Sequence, residues 1–406
     1  MPIPAQYVHP ILAKLGSVKE RNPVIDFERS EGSYFMDLAS GMTYLDCDAL
    51  NGTLPLGYGH PAYTHRDIEA GWKAPPPYKL PHTDVYSSEY ATFLSTFAKI
   101  IPDRFKSLAL TDSPESALWH CLKIAKDRKS KDYTGWFIYI EAETLAMPKG
   151  PEFGDLWMPL LYPAVRFPVP ADQEDREKKS LAEFSELKTP AEGDGPNDKD
   201  VANIDAIVVQ PISASDYDVY RPVYLQRLRK IADDFDALLI FDETKSSFGA
   251  TGHWWGFQYY DVEPDMFAFG NRSQVSGIAA TERAGKFPEI RNSCSYHDMD
   301  SCLHIIQAIQ KDNIIENTKN VGEYLIARLR QAEAISALIS NVRGLGTLVA
   351  FDLPDSITRD KVLARLNKDV LVSGCGKRSI KFQPALTFSK EDVDTIIDRL
   401  RKALKL

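Results

Sequence analysis

The sequence predicts an α/β fold built around a mostly parallel sheet, and three short runs carry the prediction. WFIYI (136–140), AIVVQ (206–210) and ALLIF (237–241) are continuous apolar stretches bounded by polar or turn-forming residues. Runs of this kind suit strands covered on both faces, as in sheets flanked by helices. Between the last two lies RPVYLQRLRKIADDFD, an amphipathic segment of the right length to cross from one parallel strand to the next.

The rest of the chain reads outward from that centre. Residues 24–46 alternate apolar and polar side chains, with Gly32 and Gly41 where hairpin turns fall. LPLGYGHPAY (54–63) is loop, and residues 86–101 and 115–126 carry helical periodicity. The stretch 170–203 is charged and poor in aromatics, and reads as a helix over about 177–187 followed by a loop. Two amphipathic helices follow residue 300. RGLGTLVAFDLP then places a glycine turn before a strand, and KFQPALTFSKEDVDTIIDRLRKAL ends the chain with a strand and a helix capped by Ser389.

Composition narrows the function. The 406 residues are 44% hydrophobic and 26% charged, with a formal charge of −9. That balance is globular, and its acidity argues against a nucleic-acid partner. No apolar run is long enough for a membrane span, and the N-terminus lacks the charged flank of a secretory signal. The five cysteines form no CxxC pair, so neither a zinc site nor a disulfide framework is expected, and a reduced cytoplasm is the default compartment. Asn51 and Asn271 open glycosylation sequons that carry no information without a secretory route.

FDALLIFDETKSSFGATGHWWGFQYYDVEPDMFAFGNRSQVSG (235–277) resembles the class III aminotransferases, most closely the lysine 6-aminotransferase and 4-aminobutyrate aminotransferase branch. The likeness extends colinearly through GSYFMDLASGMTYLD, LGYGHP, HTDVYSS (82–88), RGLGTLVAFDLP and IKFQPALTF. It implies the fold of type I pyridoxal-phosphate-dependent transferases. In that fold a large domain with a mostly parallel seven-stranded sheet joins a small α+β domain made by both chain termini. The corresponding expectation is residues 1–60 and 301–406 for the small domain and 61–300 for the large one.

The resemblance also assigns jobs that chemistry can check. Pyridoxal phosphate forms a Schiff base with a lysine, offers its pyridinium nitrogen to a carboxylate, and lodges its phosphate among backbone and hydroxyl donors. Asp242, at a strand end, matches the carboxylate. The Schiff-base lysine falls on Arg272, a guanidinium that stays protonated and makes a poor amine nucleophile; no lysine lies between Lys245 and Lys286. The aromatic-histidine-glycine ring clamp has become Thr144, Leu145 and Ala146. The phosphate turn is Ser113-Pro114-Glu115, which reads better as an N-cap, a proline at the first helical position and an acidic first turn. The segment that the family lends across its dimer interface has become Cys294-Ser295-Tyr296-His297. Lys381 stands for the arginine that grips the substrate carboxylate, and Gln210 for a glutamate near the active site.

Six of these seven functional positions depart from the family, which leads to the expectation of a pseudoenzyme that uses no cofactor. Asp242 and Ser113 are then remnants of a cofactor site, Arg272, Lys245 and Glu243 of a catalytic one, and Lys381 and Gln210 of a substrate site. Two alternatives stand beside it. Pyridoxal phosphate bound through Lys245, three residues after Asp242, is one; the plainer reading pairs Lys245 with Glu243 or Asp242. The other is a cofactor-independent enzyme reusing the cleft for a small anionic or amino-acid-like ligand. Its groups would come from His297, Tyr296, Cys294, Asp242, Glu243, Arg272, Lys245 and His253. A homodimer, or a heterodimer with an active paralogue, is the expected assembly.

Overall fold

The computed structural model describes residues 3–14, 23–63, 87–129, 136–140, 177–178, 181–182, 204–213, 216–285, 287, 290 and 295–405. The chain divides into two compact units, residues 67–309 and residues 1–66 with 310–406.

The central unit is built on six described strands: β3 (Ser107–Thr111), β4 (Trp136–Ile140), β5 (Ile204–Val209), β6 (Leu238–Asp242), β7 (Met266–Phe269) and β8 (Ser276–Ala280). Their spatial order is β3-β8-β7-β6-β5-β4. Strands β4 to β7 pair in parallel, and β8 runs antiparallel to both β7 and β3. The sheet is thus mostly parallel as expected, with six rather than seven strands among the described residues. All three apolar runs of the sequence are strands in it. Burial on both faces explains their lack of alternation: β5, β6, β7 and β8 are buried along their whole lengths.

Helices supply that cover. α1 (Ala5–Lys14) belongs to the terminal unit. α2 (Ser88–Phe97) is capped by the Ser87 side chain. α3 (Pro114–Lys129) packs Ala117, Leu118, Cys121, Leu122 and Ala125 onto Tyr139, Val208, Ile240, Ala268 and Ile278. α4 (Pro222–Asp234) is the crossover helix between β5 and β6; Pro222 starts it, and Tyr224, Leu225, Leu228 and Ala232 are its buried face. Asp265 pins the entry to β7. Its Oδ2 accepts from the Leu239 N–H and from Arg229, each at 2.8 Å. The charged helix and loop expected over 170–203 lie outside the described residues, apart from helical positions 177–178 and 181–182.

In the terminal unit, β1 (Tyr34–Met36) and β2 (Thr43–Asp46) form the expected antiparallel hairpin, joined in parallel by β11 (Val370–Leu371). A second sheet has the order β12-β13-β10-β9, from β9 (Ser340–Leu345), β10 (Leu348–Asp352), β12 (Ser373–Cys375) and β13 (Ser379–Phe382). α5 (Tyr296–Lys311) lies almost wholly in the central unit, and α6 (Ile314–Ile335), α7 (Ser356–Leu366) and α8 (Lys390–Leu404) are the longer helices of the terminal one. Gly322 on α6 touches the backbone of Gly346 in the β9–β10 turn, so closely that a methyl group has no room there. Ser389 and Asp392 form a reciprocal capping box at the start of α8, each side chain accepting the other's N–H, at 3.0 and 3.1 Å.

Candidate functional site

Strand alternation places the site. Leu238 and Ile240 on β6, Ala206 and Val208 on β5, and Tyr139 on β4 all belong to the cluster beneath α3. Two residues further along each strand, on the same face, come Asp242 and Gln210. The register pairs Val208 with Ile240, so the next pair up brings Gln210 beside Asp242. Their side chains meet: Gln210 Nε2 donates to Asp242 Oδ2 at 2.9 Å. Asp242 Oδ1 accepts from the Thr244 N–H at 3.0 Å and from its hydroxyl at 2.6 Å. The carboxylate is 6% exposed. Three donors fix it as an acceptor at the carboxyl end of a central parallel strand, and Oδ2, with one donor, keeps room for another.

Tyr139 was not singled out by sequence. Its phenol is buried among the α3-facing residues, and its hydroxyl has no hydrogen-bond partner among the described residues. Burial pushes its pKa well up, and the negative charge of Asp242 adds to the shift. The signal in the sequence was a lone polar atom inside an apolar run, which a core tyrosine also produces.

Arg272 sits in the short turn Asn271–Ser273, which follows β7, the neighbour of β6. It is 1% exposed and among the largest fully buried side chains. Asn271 and Gln274 take left-handed backbone angles, φ 65° and 62°, to make the turn. Gly270 before it presses against the start of α3: a Cβ there would stand 2.7 Å from Pro114 Cγ and 2.8 Å from Ser276 Oγ. Ser113 caps that helix, its hydroxyl accepting from the Ser116 N–H at 3.1 Å, and its carbonyl accepts from Ala117 at 3.0 Å. The sequence reading of Ser113 as an N-cap is what the geometry shows.

Glu243, a candidate catalytic group by sequence, has a holding role in the geometry. It is wholly buried. Oε2 accepts from the Ser246 hydroxyl at 2.6 Å and the Gly256 N–H at 2.9 Å, and Oε1 from the Phe257 N–H at 2.8 Å. It ties the loop after β6 back to the turn Gly256–Tyr259. Burial raises its pKa to about 7, against the lowering effect of those hydrogen bonds. Lys245, between Glu243 and Ser246, is half-buried.

The remaining candidates are dispersed. Tyr296 donates to Ser87 Oγ at 2.6 Å, and Ser295 caps α5, so both hold helix starts. His253 packs edge-on to Tyr259, at 6.2 Å between ring centroids. His297 lies in the first turn of α5. Lys381 is on β13, in the terminal unit. Thr144, Leu145, Ala146 and Cys294 lie outside the described residues. Among the described residues, no cluster of His, Cys, Asp or Glu is placed to hold a metal ion, and no helix is long and apolar enough to cross a membrane.

The model of the class-III aminotransferase family matches residues 15–404. The chain belongs to that family. L-lysine-epsilon aminotransferase of Mycobacterium tuberculosis is 29% identical, over 98% of this chain and 95% of that one. A probable mitochondrial 4-aminobutyrate aminotransferase of Caenorhabditis elegans is 27% identical, over 94% and 88%. The solved lysine aminotransferase from M. tuberculosis in its internal aldimine form superposes with a TM-score of 0.83, at 27% identity and 99% coverage of both chains. The resemblance read from the sequence and the type I fold both stand.

Membership overturns one expectation. A chain with no cofactor is not what the family and these aminotransferase relatives indicate; they point to pyridoxal phosphate. The count of departed anchors points away from a cofactor, but the family match runs over residues 15–404 and its relatives are aminotransferases along nearly their whole length. The residues present fit that cofactor in part. Asp242 fits its ring nitrogen: a buried, hydrogen-bonded carboxylate at a strand end is the acceptor that a pyridinium requires. Arg272 does not fit the covalent anchor, and the self-capped start of α3 does not fit the phosphate.

Proposed function

We propose that this chain is a lysine-aminotransferase-like protein that holds a pyridoxal-type ring at Asp242 and does not carry out ordinary transamination. Arg272 is the observation that carries the reading. An amino-group transfer of this family runs through a lysine amine that exchanges its bond to the cofactor aldehyde with that of the substrate and shuttles a proton. A buried guanidinium at that position does neither, since it has no free amine and does not give up its proton. What remains is a carboxylate fixed by Gln210 and Thr244 to receive a ring nitrogen.

The likeness to class III enzymes, whose active sites are assembled between two chains, supports a role as a partner subunit, in a homodimer or beside an active paralogue. The test of the enzymatic reading is direct. Purified protein is given L-lysine or 4-aminobutyrate, an oxo acid and excess pyridoxal phosphate, and amino-acid product is measured. The expected rate is that of cofactor alone. A rate above that background that saturates with substrate and is lost in Asp242→Asn contradicts the reading. If such turnover is lost instead in Lys245→Ala, the amine has moved to Lys245.

A further inference from the structure

We propose that the Asp242 site selects a pyridine-type ring without a phosphate ester, a ligand of the pyridoxal or pyridoxamine class, over the 5′-phosphate. The inference rests on reading Asp242 as the partner of a ring nitrogen, and adds which form of the ring the protein takes.

A phosphate dianion held at the start of a helix is bound by free backbone N–H groups in a positive local field. α3 is the helix that starts beside Asp242. β7 pairs with β6 through Ala268 and Asp242, and two residues on, Gly270 carries Pro114, the first residue of α3. Several features of that start work against an anion. Pro114 has no N–H to offer. The N–H of Ser116 is taken by Ser113 Oγ at 3.1 Å. The proline ring fills the space against Gly270, leaving 2.7 Å between Cγ and the position of a Cβ there. Asp112 and Glu115 flank the turn, and no basic residue lies in the first turn of the helix.

The ring end of the site shows the opposite pattern. Asp242 is buried and oriented by three donors, and the buried Tyr139 hydroxyl, which feels the Asp242 charge, has no partner among the described residues. An unpaired buried hydroxyl is costly, so its retention near the acid suits a face that meets a polar ligand. A site with an acceptor at one side and a proline-started, acidic helix at the other fits a neutral substituent where the phosphate ester would be.

Pyridoxamine and pyridoxamine 5′-phosphate are the probes, because neither carries an aldehyde that reacts with surface lysines. Their affinities for the purified chain are measured by titration calorimetry, with Asp242→Asn and the double variant Pro114→Gly/Glu115→Ala alongside. The expected result is pyridoxamine binding about tenfold or more tighter than its phosphate, lost in Asp242→Asn, with the preference narrowed in the double variant. Equal binding, or tighter binding of the phosphate, overturns the inference and leaves Asp242 as a ring partner. Binding of neither ligand, or binding unchanged in Asp242→Asn, overturns the reading of Asp242 and the inference with it.

Discussion

Glu243→Gln is expected to destabilise the protein most at acidic pH, with the deficit shrinking as pH rises above neutrality. The wild-type carboxyl group is buried with a pKa raised to about 7, from the 4.5 of a free glutamate. A native state with the higher pKa keeps a proton that the unfolded chain has released. The associated stability is therefore complete below pH 4.5 and is lost as pH rises through 7. The shift corresponds to about 3 kcal/mol across that window. Glutamine cannot titrate, so the window disappears in the variant. It also sets an amide N–H₂ against the N–H groups of Gly256 and Phe257 and the hydroxyl of Ser246, leaving one buried donor unmatched at a cost of about 1–3 kcal/mol. Unfolding free energies from denaturant titrations between pH 5 and 8 give the comparison. Parallel curves for the two proteins would show that Glu243 does not titrate in that range.

Arg272→Lys is expected to turn a protein that makes no covalent bond to pyridoxal into one that makes about one per chain, reducible by borohydride. The new amine stands in the turn after β7, next to the strand that carries Asp242. Exchanging a planar guanidinium for an ammonium in a site 1% exposed also removes fixed hydrogen-bonding geometry, so some stability is lost with the gain of chemistry. Absorbance of the complex and peptide mapping after reduction read the effect. An adduct equal in wild type and variant, or none in either, would show that residue 272 does not face the ring aldehyde.

Much of the fold could be read from the chain because its signals are local. Five-residue apolar runs are strands wherever both faces are covered, and Ser389 three residues before an acid is a capping box wherever a helix follows. Asp242 was legible as the end of such a run. Its partner Gln210 also ends a run, but their contact depends on the β5–β6 register, which no stretch of sequence states. The setting of Glu243 is hidden from the sequence for the same reason. The N–H groups that hold it belong to residues 13 and 14 positions later, brought back by a loop whose path the sequence does not reveal. Alternation turns adjacent acids to opposite sides, so Asp242 faces the α3 side while Glu243 is sealed beneath the loop. The cofactor was lost from the sequence reading because departed anchors were counted together against it; the ring acid, with its support from Gln210 and Thr244, needs none of the others to remain in place.

The most direct measurement is peptide mapping of wild-type protein after incubation with pyridoxal and reduction with borohydride, set beside Asp242→Asn. The expected result is no stoichiometric adduct on any lysine, and only scattered surface labelling that Asp242→Asn leaves unchanged. A single stoichiometric adduct, on Lys245 or any other lysine, that disappears in Asp242→Asn would contradict it and restore a covalent cofactor to this chain.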